Sequence, residues 1–204
     1  MKIVKRYSFE EYNGQKNELL KEFGRSKIIP ESIQLQALLA LSHFPELKEM
    51  NVRFVFAKSQ LAYASRPDLK SIFQPPLKRE YLIILSTYSS KTPTELLFSN
   101  LPFNAQIGIL GHELSHTIFY LDKTASELIS TGIKYLNSKY RVKFENKTDR
   151  MAIQRGLGWQ LLEFAKYSRE HPKTSPQLIH WLNKFYLSPS RILNYIQTIP
   201  EYKD

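Results

Sequence analysis

The stretch Gly111-His112-Glu113-Leu114-Ser115-His116 lies inside an apolar run from about Asn104 to Leu121, and it constrains the chain more than any other segment. Ile107, Ile109, Leu110, Leu114, Ile118 and Phe119 fall on nearly every side of a helix drawn through this run. A helix that is apolar all round is normally buried. The sequence therefore predicts a central helix that carries two histidines and a glutamate into the interior, where unpartnered polar groups cost free energy. Residues four apart on a helix stand nearly above one another, about 6 Å along the axis. His112 and His116 can thus present two imidazoles to one point, with Glu113 about 100° around the same helix. Gly108 and Gly111 each weaken a helix relative to Ala, which predicts another element packed closely against this one.

A metal ion is the partner this pattern calls for. H-E-x-x-H supplies two neutral nitrogen ligands and a carboxylate suited to act as general base toward water, the arrangement used in zinc hydrolysis. Cysteine is absent, which removes disulfides, thiol nucleophiles and thiolate ligands together and leaves His, Asp and Glu as ligands. Zn²⁺ is the expected cofactor. A catalytic zinc usually takes three protein ligands, and three acidic residues follow the second histidine. Asp122 comes six residues after His116, where the similar metzincin pattern H-E-x-x-H-x-x-G-x-x-H has its last ligand, but Phe119 stands in the place of that pattern's turn-forming glycine. Glu127 comes next, and a first-turn carboxylate favourable to a helix dipole is a sufficient role for it. The third is Glu145, in Phe144-Glu145-Asn146-Lys147-Thr148-Asp149.

With Glu145 and Asp149 spaced E-x-x-x-D after H-E-x-x-H, the segment from about Tyr81 to Phe164 resembles the gluzincin metallopeptidases, the thermolysin-like branch of the zincins. The resemblance covers less than half of the chain. It implies that Glu145, on a second helix, is the third zinc ligand, and that Asp149 holds a ligand histidine from behind. The i, i+4 spacing agrees, because it sets both carboxylates on one helical face, and a carboxylate on the remote N–H of a ligand imidazole fixes its tautomer. The resemblance also implies a residue that stabilises the oxyanion. His180, His171, Tyr135, Tyr140 and Arg191 are candidates that spacing does not separate, whereas His43 reads as structural or surface.

Lys and Arg exceed Asp and Glu by ten. Such a balance can favour nucleic acid or anionic surfaces, but the charges are scattered without a block of like sign, so a solvated basic surface is the expectation and nucleic acid a minority reading. The N-terminus has no apolar core of a signal peptide, and no stretch approaches the roughly 20 apolar residues of a membrane span. A cytoplasmic protein of one domain, residues 1–204, is expected.

Along the chain, Ser8 and Glu11 suggest a capping box for a helix reaching Phe23, with Gly24 as terminator. A second helix is expected from about Pro30 until Pro45 interrupts it. Strands are predicted at Val52–Phe56, Leu61–Ser65 and Tyr81–Ser86, separated by a proline-containing loop over 66–78. After the central helix, another helix is expected to end near Asn137, then a basic connection over 139–147, a long helix over 148–168, and two short helices at the end. The fold class is α+β, predominantly α: a zincin-like small sheet packed on the H-E-x-x-H helix, with a second helix bearing the third ligand. The resulting expectation is a zinc-dependent peptidase with Glu113 as general base, a peptide or protein substrate, and a strand such as Val52–Ala57 binding it along an edge. Two rival readings are a metal-dependent amidase for a non-peptide substrate, and a basic interaction module with a structural or vestigial zinc site.

Overall fold

A computed structural model describes residues 3–203. Met1 and Lys2, where the N-terminal reading begins, and Asp204 lie outside that range. The elements run α1 (Phe9–Asn13), α2 (Lys16–Phe23), β1 (Lys27–Ile28), α3 (Gln34–Leu41), β2 (Asn51–Lys58), β3 (Tyr63–Pro67), β4 (Glu80–Tyr88), α4 (Phe103–Leu121), α5 (Ala125–Tyr135), α6 (Ser138–Ala152), α7 (Gly158–Glu170), α8 (Pro176–Phe185) and α9 (Pro189–Thr198). The chain is α+β and mostly helical, as expected. No helix among the described residues is long and apolar enough to cross a membrane.

The sheet has the order β1-β2-β4-β3, with β1, β2 and β4 parallel and β3 antiparallel to β4. This arrangement corrects the assignment of β2 as the edge strand. β2 is paired with β4 along its whole length and with β1 at Val52 and Arg53. Its alternating Val52 and Phe54 are core residues, so the period-two pattern reports burial within the sheet. The short, more polar β3 pairs with β4 alone and is the strand that runs beside α4. There Ser65 Oγ lies 3.0 Å from Thr117 Oγ1, and the Tyr120 hydroxyl donates to the Ser65 carbonyl at 3.3 Å.

Every residue of α4 from Asn104 to Thr117 is buried. Its apolar side chains join Leu39, Phe44, Phe54, Ile83 and Leu85 in the main core, where fully burying a Leu, Ile or Phe contributes about 1.5–3 kcal/mol. On the opposite side α4 packs against α7 and the turn that precedes it, and there both glycines find their reason. A Cβ on Gly108 would sit 2.3 Å from the Gln160 carbonyl oxygen, and one on Gly111 would sit 2.4 Å from Leu157 Cδ1.

The second half of the chain departs from expectation at two points. The stretch read as a basic connection is helix: Asn137 ends the preceding turn and its side chain accepts from Lys139 N and Tyr140 N, starting α6 at Ser138. Basic composition had suggested a loop, but the lysines line the exposed face of that helix while Glu145 and Asp149 face inward. The helix expected over 148–168 is broken, because Gly156 adopts φ 93° in a wide turn over Ile153–Leu157. A non-glycine side chain rarely tolerates that backbone. The Tyr202 hydroxyl fills the break, donating to the Ile153 carbonyl at 2.6 Å and accepting from Gly158 N at 2.7 Å. At the N-terminus the single expected helix is two, interrupted at Gly14 and Gln15. Ser8 accepts from Glu11 N as its cap.

The glycine packing can be tested with a matched pair. Gly108→Ala should destabilise the protein by about 2 kcal/mol or more, because the clash is with backbone that has little room to relax. Gly132→Ala, in α5 with nothing within 4 Å of the added carbon, should be neutral or stabilise by up to about 1 kcal/mol. Urea unfolding of both variants checks this; equal effects would show that the α4–α7 approach is not close.

Candidate metal centre

Three of the predicted ligands converge on one point. His112 Nε2 and His116 Nε2 are 3.1 Å apart, and Glu145 Oε2 lies 3.1 Å from the first and 3.2 Å from the second. All three residues are buried, and they form a group that could hold a metal ion. Neighbouring ligands of a tetrahedral ion bound at about 2.0–2.1 Å stand about 3.3 Å apart, close to the observed triangle.

The surroundings fix the direction of each ring. His112 Nδ1 lies 2.7 Å from Asp149 Oδ1, while Asp149 Oδ2 accepts from Leu187 N at 2.8 Å. His116 Nδ1 lies 3.3 Å from Thr148 Oγ1, whose own hydroxyl donates to the Phe144 carbonyl. Asp149, a carboxylate, and Thr148, whose hydroxyl proton is committed to Phe144, are therefore placed to accept the Nδ1 protons of the two rings. Both Nε2 atoms then face each other and a carboxylate oxygen. A positive charge among these three atoms is stabilised, and a metal ion can supply one.

Local sequence explains the convergence. His112 and His116 share one face of α4, and Glu145, Thr148 and Asp149 follow i, i+3, i+4 on α6, forming the face turned toward α4. The other partners of α6 tie it down: Asn146 Nδ2 donates to the Phe185 carbonyl at 3.0 Å, beside the Asp149 contact to Leu187. Phe144 packs on the His116 ring at 5.1 Å.

Electrostatics reflect the crowding. Burial opposes charge on His112, yet its hydrogen bonds and the charges of Asp149 and Glu145 outweigh burial and raise its proton affinity well above the ordinary value. Burial would raise the Glu145 carboxyl, but the facing imidazoles hold it well below the usual carboxylate range. Glu113 is the opposite case. Burial pushes its carboxyl up, and the smaller pull of His112 and His116 does not offset this. Its Oε2 is buried with no hydrogen-bond partner.

The other candidates separate clearly. Asp122 caps the end of α4 and is exposed. Glu127 completes a capping box with Thr124 at the start of α5, the local role expected for it. Tyr135 donates its hydroxyl to Glu145 Oε1 and lines the cavity around the centre. Tyr140 instead stacks on Phe144, His171 lies beside Tyr167 with its Nδ1 accepting from Lys173 N, and His180 and Arg191 are exposed. His43 is structural: it is buried between the Tyr7 hydroxyl at 2.7 Å and the Arg155 carbonyl at 2.6 Å. Sequence reasoning missed Thr148 and Tyr186. Thr148 was legible as the residue one turn beyond Glu145 on the same face. Tyr186, whose ring lies 5.5 Å from His112, follows the end of α8 and carries no local signal.

A cavity of about 840 Å³ joins these groups, bordered by Ala62–Pro67 at β3, by His112, Glu113, His116 and Glu145, and by Tyr135 and Tyr186. No protein-family model, curated protein or solved structure matches the chain.

The Asp149 contact should be visible in metal binding. Asp149→Ala should retain the three ligands but lower Zn²⁺ affinity about 10–100-fold, the usual effect of removing a ligand's outer partner. Competition with a chromophoric chelator measures this, and an unchanged affinity would reduce Asp149 to an anchor for Leu187 N.

Proposed function

We propose that the chain is a zinc-dependent hydrolase of gluzincin type, a peptidase in which His112, His116 and Glu145 hold the ion. The observation that carries this reading is the buried, unpartnered Oε2 of Glu113, on a carboxyl that burial makes more basic, bordering the same cavity as the three ligand atoms. A structural metal site needs no free carboxylate of that kind. Bound there, zinc supplies Lewis acidity toward a carbonyl and toward water.

The protein residues divide the remaining work. Glu113 takes a proton from water as the oxygen attacks the peptide carbonyl carbon, and it returns that proton to the leaving amine as the C–N bond breaks. A raised basicity suits both transfers. Asp149 and Thr148 hold the two imidazoles by their Nδ1 protons. Tyr135, with its hydroxyl on Glu145, borders the cavity, as the other four candidates do not, and is the choice among the five for the oxyanion. The unpaired edge of β3, rather than β2, offers main-chain hydrogen bonds to an extended substrate.

Glu113→Gln preserves size and hydrogen-bonding reach but removes the ability to take up a proton at neutral pH. Zinc stoichiometry and thermal unfolding should match the parent, while cleavage of a peptide library falls by at least about 10²-fold. Equal turnover in both proteins would exclude Glu113 as base. A fully zinc-loaded parent that cleaves no peptide would favour a non-catalytic interaction module.

A further inference from the structure

Arg141 is a charged group near the centre with two unfilled donors, Nε and Nη2. It lies one turn before Glu145 on α6, with its side chain only 17% exposed. The guanidinium is enclosed by aromatic rings, 4.8 Å from the centroid of Tyr135, 4.8 Å from Trp181 and 4.5 Å from Phe185. Ring faces attract and orient a cation, but they do not replace the in-plane acceptors that its N–H groups need. Nε and Nη2 are buried and have no hydrogen-bond partner. The neighbouring carboxylate oxygen, Glu145 Oε1, is 4.0 Å from Nε and already accepts the Tyr135 hydroxyl. Tyr186 also adjoins the guanidinium, and its contact leaves those two atoms unfilled.

Buried charged donors without acceptors are costly, and the guanidinium fork fits a carboxylate through two parallel bonds. Arg141 borders the same cavity as His112, Glu113 and Glu145. We infer that Arg141 is an anchoring residue for a substrate carboxylate. The inference rests on the hydrolase reading for what is bound, and on the unfilled donors for where it binds. An extended peptide advances about 3.3–3.6 Å per residue, and Arg141 stands directly behind a proposed ligand. The anchored carboxylate therefore belongs to a residue one or two positions from the bond at the centre. Two sources have this chemistry: the α-carboxylate of a chain end, which makes the protein a trimmer of peptide C-termini, and an Asp or Glu side chain.

Trp181 makes occupancy visible, because a carboxylate on the guanidinium lies against its indole; Trp159 sits apart beside Tyr202 and Lys5 as background. The test titrates the full-length chain, with and without zinc, with N-acetyl-phenylalanine and with its amide, following tryptophan fluorescence. The acid should bind about 10–100-fold more tightly than the amide, the range for a hydrogen-bonded charge. Arg141→Met should abolish that preference and Arg141→Lys should keep part of it. A parallel pair of C-terminally amidated peptides, one with Glu and one with Gln beside phenylalanine, separates the two sources: selectivity here assigns the side chain, and selectivity only in the first pair assigns the chain end.

Equal binding of acid and amide in both pairs by the parent protein would overturn the inference without any variant. So would an Arg141→Met protein that weakens acid and amide alike, which would reduce Arg141 to a support for Glu145. Acid-selective binding by a zinc-loaded protein that hydrolyses nothing would uphold the anchor while removing the hydrolase reading.

Discussion

The interior of this protein depends on the close approach of two imidazole nitrogens and one carboxylate oxygen, all within 3.2 Å of one another and shielded from solvent. Two ring nitrogens and a carboxylate oxygen in that space are stabilised by a shared positive charge, which a metal ion can supply. Asp149 and Thr148 take the outer ring protons, so neither ring can easily turn away. Glu145 is held from its other oxygen by Tyr135. The neighbours thus aim both Nε2 atoms and a carboxylate oxygen at one point, a group that could hold a metal ion.

That arrangement requires two helices to stand close, and the required approach is distributed along the chain. Gly108 lets α7 lie against α4, Gly111 makes room for Leu157 in the turn before α7, and Gly156 turns the chain between α6 and α7. Because the break follows α6 directly, α6 can present Glu145 and Asp149 to α4 from one direction while α7 packs from another. The turn after α8 then closes the back of the site through Leu187 N on Asp149 and the Phe185 carbonyl on Asn146. One wall of the cavity is left to β3, whose outer edge carries no strand among the described residues.

Much of the central geometry was legible because helical periodicity is local. The spacing His112–His116 and the spacing Glu145–Asp149 each define a helix face, and the buried character of α4 follows from apolar residues on all its sides. The two glycines signalled a close neighbour but could not say which. Legibility failed where a tertiary partner decides. The lysines of α6 looked like a loop because the residues that bury its other face, Glu145, Asn146, Thr148 and Asp149, are polar and carry no hydrophobic period. The edge position of β3 depends on strand order, which β2 and β4 determine by pairing in parallel across the intervening chain. Arg141 and Tyr186 acquire their importance from rings far along the sequence, Trp181 and Phe185 for the first and His112 for the second.

X-ray absorption at the zinc edge of the loaded protein tests the central claim most directly. One ion per chain should appear in a shell of nitrogen and oxygen at about 2.0–2.1 Å, with the outer scattering of two imidazoles, and one imidazole contribution should be lost in His116→Ala. A zinc shell lacking imidazole scattering, or one unchanged in that variant, would contradict it.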